Sequence, residues 1–326
     1  IAFPAWATWF VALGGGGAVG FVFSRMLRPK LERLRHTTEL IRRGDLRGEL
    51  APIELPRFPD ETNELAESML LVHGIHDHCH TWDWVAQIFR DRYHIVAPDF
   101  RGHGDSEWSK GSPYTHLEYV YDVAQLVRQQ ELAPATVVAH SLGGTIAAMY
   151  AGIFPELVKR LVIVEGVGLY PGRYSGDPAV RLRQWVDANY SLAGRVPRRY
   201  ESLEEAFQRM QETNPHLSPQ QARHLTVHGS NQNEDGTYTW KFDNYTRAHT
   251  PYDIPSEDVI DLWKRIRCPV LIINSTQGYP HRIGQAGTLE HFADVRLIEI
   301  DDAGHWTHHD RLDEFVGLVG DFLGDE

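Results

Sequence analysis

Two stretches of this chain carry residue types able to do chemistry. The first, Ala139-His140-Ser141-Leu142-Gly143, stands where an apolar run turns into a helical pattern, a nucleophile-elbow arrangement with Ala139 in place of its first glycine. Small flanking residues suit it, because the strand-to-helix turn is sharp and the helix must pack close. Such a turn lifts the Ser141 hydroxyl clear of the sheet. The helix start beneath it offers unpaired backbone N–H groups to a developing oxyanion, which points to nucleophilic acyl transfer. The second, His73-Gly74-Ile75-His76-Asp77-His78-Cys79-His80-Thr81-Trp82, crowds imidazoles and a thiol together, as transition-metal sites do. No second ligand group stands at a recognisable spacing from His76, Cys79, His78 and His80, so the metal reading is the weaker one.

The elements that must position Ser141 alternate. Short apolar runs at 68–74, 93–100, 135–140, 158–166, 268–275 and 295–300 read as strands. Helical patterns fall at 117–132 and 143–155, with a closing helix at 312–323. This alternation predicts an α/β fold, a mostly parallel sheet flanked by helices. Residues 166–267 interrupt it as a largely helical insertion. Two helix starts in it are clearly capped, Ser202 with Glu205, and Ser218 with Pro219 and Gln221.

His-Gly after the first strand, Pro98-Asp99-Phe100-Arg101-Gly102-His103-Gly104 after the second, the serine elbow, and His305 just past the last strand come in a fixed order. In that order they resemble the α/β-hydrolase family over residues 69–326. The resemblance implies Ser141 as nucleophile and His305 as base, with an oxyanion hole from the backbone N–H groups of Ile75 and Leu142. It makes 166–267 a cap, with aromatic residues such as Trp185, Tyr190, Tyr200, Trp240 and Phe242 either lining a pocket or packing the cap down. His308 and His309 are expected to be solvated or at a helix start. The family's usual acid follows the strand Pro269–Ser275, where this chain has Gly278 and no carboxylate. Some haloalkane dehalogenases are similar in placing a glutamate at the end of the strand after the nucleophile, here Glu165. A carboxylate at that strand end needs a partner, since burying it unpaired is expensive. Asp301 and Asp302 lie too close to His305 in sequence to orient its ring easily. Serine in place of their aspartate nucleophile argues against dehalogenation. The family's first antiparallel strand pair has no counterpart, which leaves Tyr93–Phe100 as an expected sheet edge.

The N-terminal part is different material. Residues 1–23 carry no charge; as a helix they would span about 34 Å, enough for a hydrocarbon core of ~30 Å. Arg25, Arg28, Lys30, Arg33 and Arg35 follow, which places that flank and the rest of the chain on the cytoplasmic side of a bacterial inner membrane. An Arg-Pro helix start, Arg42-Arg43-Gly44-Asp45-Leu46, an extended connector and a second short amphipathic helix resemble a HAMP linker, which implies a homodimer. The expected division is a transmembrane helix at 1–24, a HAMP-like helical linker at 25–69 and the hydrolase domain at 70–326. The two patterns meet abruptly at Met69–Leu70, as in a natural or artificial fusion; an artificial one would leave a soluble cytoplasmic domain.

The net charge of −12 gives no ground for a nucleic-acid partner, and two distant cysteines, Cys79 and Cys268, form no disulfide framework. The resulting expectation is a serine hydrolase that needs no cofactor, acting on a small to medium uncharged ester or related acyl compound. A non-catalytic small-molecule receptor on the same stalk is the alternative, favoured by the absent acid at Gly278, and a metallohydrolase is a third reading.

Overall fold

Strands covered on both faces read as unbroken apolar runs, and such strands form the centre of this molecule. The computed structural model describes residues 66–109, 114–169, 175–248 and 250–324. β1 (Glu67–Val72), α1 (Asp83–Phe89), β2 (Tyr93–Val96), α2 (His116–Gln129), β3 (Ala135–His140), α3 (Leu142–Ile153) and β4 (Val158–Val164) come first. The insertion holds α4 (Pro178–Ala193), α5 (Leu203–Thr213), α6 (Pro219–Gly229), the strands β5 (Ser230–Gln232) and β6 (Tyr238–Trp240), and α7 (Ser256–Trp263). β7 (Val270–Ser275), β8 (Val295–Ile300), α8 (Thr307–Asp310) and α9 (Leu312–Leu323) close the chain.

The main sheet has the order β2-β1-β3-β4-β7-β8, with every pairing parallel. Alternate residues feed opposite layers. Met69, Leu71, Val138 and Ile273 pack with Val85 and Phe89 of α1 and Phe315 and Val319 of α9. Leu70, Val72, Val137 and Ile163 pack with Val123 of α2, Ile146 of α3 and Trp263 of α7. Each fully buried aliphatic side chain stabilises the fold by roughly 1.5–3 kcal/mol. Among the described residues β2 is an edge strand and no antiparallel strand joins this sheet; the segment before β1, where the sequence has no counterpart of the family's first strand pair, lies outside them.

α3 is apolar on every side, and all of it but Ile153 is buried. It sits so close to β1 that a methyl at Gly143 would fall 2.6 Å from the carbonyl oxygens of both Val72 and His73. The caps expected in the insertion are formed: Ser202 accepts from the Glu205 N–H, and Ser218 and Gln221 make a reciprocal box with Pro219 in the first turn. One boundary differs. α7 lies within 166–267 but packs on α3 through Val259 and Trp263, so it belongs to the body rather than to a cap.

The expected transmembrane helix, 1–24, and nearly all of the HAMP-like linker, 25–69, lie outside the described residues. The linker's last stretch is not helical: Glu67–Met69 is already β1, because the fully buried Met69 pairs with both Ile95 and Thr136 in the sheet. Among the described residues no helix is long and apolar enough to cross a membrane.

Candidate active site

Ser141 stands between β3 and α3 with φ 52° and ψ −119°, a conformation that costs a non-glycine residue on the order of 1–3 kcal/mol. The surrounding sheet holds it there: the Ser141 N–H donates to the Val164 carbonyl at 2.8 Å. Its hydroxyl lies 2.9 Å from Nε2 of His305, and Nδ1 of His305 lies 3.2 Å from Oε2 of Glu165. The carboxylate can only accept, so the proton sits on Nδ1 and Nε2 is left to accept from Ser141. The loop from β8 to α8 that carries His305 is pinned at three points. His140 Nε2–H donates to the His305 carbonyl at 2.8 Å, the Ser275 hydroxyl donates to the Gly304 carbonyl at 2.7 Å, and the Gly304 N–H donates to Asp310 at 2.8 Å.

Glu165 follows β4 directly, fully buried, with φ 50°. Its Oε1 accepts from the Ser275 N–H at 2.7 Å and from the buried guanidinium of Arg282. Burial works against its charge; the hydrogen bonds from His305, Ser275 and Arg282 outweigh it and hold the carboxyl below its ordinary value. Gly278, where the sequence offered no carboxylate, lies against this same group. A methyl built there would fall 2.0 Å from Glu165 Oε2. The glutamate thus fills the space that a side chain at 278 would take.

Gly74 places the turn after β1 beside the serine: a methyl on it would fall 3.0 Å from Ser141 Cβ. The next residue is Ile75, whose N–H donates to no acceptor among the described residues. Leu142 opens α3, where the first N–H groups have no acceptor within the helix. Leu142 thus follows Ser141 directly, and Ile75 follows the glycine that packs on Ser141.

A cavity of about 420 Å³ is lined by Ile75 and His76, which follow the Gly74 turn, and by Trp306, which follows His305. Of the insertion's aromatics, Tyr200, Trp240 and Phe242 line it, and the Trp240 N–H donates to the Tyr200 hydroxyl at 2.9 Å. Four arginines also line it: Arg195, Arg198, Arg209 and Arg247. Arg198 pairs with Glu205 at 3.8 Å and Arg209 with Glu212 at 3.6 Å. Among the described residues Arg195 and Arg247 have no carboxylate partner. Partial burial, and then the charge of Arg195, lower the Arg247 guanidinium below its ordinary value.

The crowded histidines have separate fates. His73 is buried, its Nδ1–H donating to the Gly74 carbonyl at 2.6 Å and its Nε2 accepting from the Phe100 N–H at 2.9 Å. His76 lines the cavity. His78 is buried and donates to the Leu225 carbonyl at 3.1 Å. Among the described residues His80 joins a group of metal-type ligands with Asp83, His224 and His228, and the neighbouring Asp77 lies in a second, buried group with His140 and His308. The sequence reading missed His224 and His228, although their i, i+4 spacing on a helix was the available signal. His308 and His309 stand at a helix start as expected but are buried rather than solvated, both within reach of the Thr81 hydroxyl. Arg282, Ser275 and His140 were also missed; each acts on the site through a partner distant in sequence.

The profile of the Alpha/beta hydrolase family matches residues 69–318. A serine hydrolase-like protein of Danio rerio is 23% identical over 269 residues, 78% of this chain and 81% of its own. A hypothetical protein of Pseudomonas aeruginosa PAO1 superposes with a TM-score of 0.68 at 22% identity, covering 81% of this chain and 93% of its own. The thioesterase domain from the curacin biosynthetic pathway does so with a TM-score of 0.67 at 22% identity, covering 78% and 91%. With its parallel sheet, its helical layers and this match, the chain belongs to the alpha/beta hydrolase family and is a hydrolase.

Proposed function

We propose that the chain is a serine carboxylic-ester hydrolase in which Ser141, His305 and Glu165 form the catalytic triad. The observation that carries this reading is the unbroken hydrogen-bonded line from Ser141 Oγ through His305 to a buried, charged Glu165. His305 Nε2 takes the serine proton as Oγ attacks the acyl carbon. The N–H groups of Ile75 and Leu142 hold the oxyanion, and Glu165 stabilises the imidazolium. His305 then protonates the departing alkoxide, leaving an acyl-enzyme. A water activated by the same ring releases the acid and returns the proton to Ser141. The receptor alternative drew on the absent carboxylate at 278, and Glu165 supplies that carboxylate from the neighbouring strand. Membrane attachment through residues 1–24, and pairing with a second copy through a HAMP-like 25–69, rest on the sequence patterns alone.

The cavity shifts the substrate away from the uncharged esters that the sequence suggested. Two guanidinium groups that line it and have no carboxylate partner among the described residues, those of Arg195 and Arg247, favour an ester whose far end carries a carboxylate. Paired p-nitrophenyl esters test this, one of butyrate and one of glutarate with its second carboxylate free. The glutarate ester is expected to have the higher kcat/KM. Arg195→Ala with Arg247→Ala should reduce that preference about ten-fold, as should high salt, because exposed charges are screened. Equal use of both esters, unchanged in the double variant, would contradict the substrate class and leave the triad untouched.

A further inference from the structure

The imidazoles that the catalytic reading leaves unused converge at a second place. His80 belongs to the loop after β1 and Asp83 opens α1, both in the body. His224 and His228 lie one turn apart on α6 of the insertion, a spacing that turns both rings to one face. One ligand atom from each of the four lies within 4.8 Å of all the others. Asp83 Oδ2 already joins the two sides, accepting from His80 Nδ1 and His224 Nε2, each at 3.0 Å. The His80 and His228 rings stack with centroids 3.9 Å apart, and the His224 and His228 centroids are 4.5 Å apart. All four side chains are partly open to solvent, which gives an ion a way in.

We propose that His80, Asp83, His224 and His228 form a binding site for a divalent transition metal, zinc in the first instance, which fastens α6 to the body. Three nitrogens and one carboxylate oxygen are a ligand set that zinc takes in tetrahedral geometry. With bonds of about 2.0–2.1 Å, tetrahedral ligands stand roughly 3.4 Å apart, so small side-chain rotations close the site from its present spread. Four protein ligands leave no open position, so the ion's part is structural and the hydrolytic step stays with Ser141.

The chain stripped with EDTA and titrated with zinc chloride tests this by calorimetry and by thermal melting. One zinc per chain is expected to bind in the micromolar range or tighter. A hundred-fold excess over the dissociation constant would then raise Tm by several degrees. His228→Ala and His224→Ala should each lose the zinc-induced rise while keeping the metal-free melting temperature within a few degrees. His94→Ala, an exposed histidine elsewhere, should keep it, and magnesium should produce none. No stoichiometric binding, or a zinc-induced rise that survives both α6 substitutions, would overturn the site. Failure here leaves esterase turnover unaffected, so the two readings fall separately.

Discussion

Replacing Glu165 with glutamine is expected to lower kcat/KM for a p-nitrophenyl ester about 10³–10⁴-fold. The amide can hold the wrong tautomer of His305 and cannot stabilise the imidazolium. The same change leaves the Arg282 guanidinium buried without its counter-charge, which costs stability of about 3–5 kcal/mol. Far-UV circular dichroism and the melting temperature must therefore accompany the rates. The contact between Gly278 and Glu165 supplies a second variant that isolates chemistry from folding. Glu165→Gly combined with Gly278→Asp returns a carboxylate to the same space from the adjacent loop, and should recover at least ten-fold over Glu165→Gly alone. A folded Glu165→Gln enzyme with near wild-type rates would contradict the role of this carboxylate.

The second large effect is on stability in acid. His73, His78, His103, His140, His308 and His309 are all buried, and burial is the first cause that keeps each of them neutral. His73 and His309 are lowered to about 3, and His78 and His103 to about 4. The geometry of His73 gives the reason: protonating Nε2 would set a new N–H against the Phe100 N–H it now accepts from. A depressed histidine contributes stability that is fully present above the unfolded value and lost as pH falls through the folded one. The unfolded chain takes up these protons below about pH 6.5. At pH 5 each ring then costs up to about 2 kcal/mol, and half of that across six rings rivals the ~5–15 kcal/mol that holds a domain together. Asp77 acts in the opposite sense. Burial raises its carboxyl to about 7, so its contribution is lost as pH rises through that value and regained in acid. Burial raises the Asp310 carboxyl as well, but two carboxyls do not offset six imidazoles. The urea midpoint should fall steeply between pH 7 and pH 5, and the chain should unfold near the lower end. A midpoint unchanged across that window would mean the rings are not held neutral as the structure has them.

Local pattern made some of this legible in the sequence. The serine elbow is a strand-to-helix turn whose requirements lie within five residues, and His305 follows its strand by a short fixed step. Apolar runs and the helical patterns between them mark the strands and their parallel pairing, whereas the order of the strands in the sheet comes from the fold. A family resemblance and the absence of a carboxylate at 278 point to Glu165 in the sequence, and only the fold shows that the two positions share one space. The supports are a different matter. Arg282 and Ser275 meet Glu165 across more than 100 residues of chain, and His140 meets the His305 carbonyl across 165. No periodicity carries such pairings. The histidine run is illegible for the same reason: neighbours in sequence point into a core, a cavity and a cap interface, and only His78 and His80 find partners on α6. α7 falls within the expected cap because an insertion in sequence does not reveal which of its helices returns to the body.

If His305 and Glu165 make Ser141 the nucleophile, a fluorophosphonate probe will label the full chain covalently at that one residue. Intact-mass analysis should find one adduct per chain, mapped by peptide sequencing to Ser141, with labelling abolished in Ser141→Ala and slowed by orders of magnitude in Glu165→Gln. No adduct on folded wild-type protein, or an adduct that persists in Ser141→Ala, would contradict it.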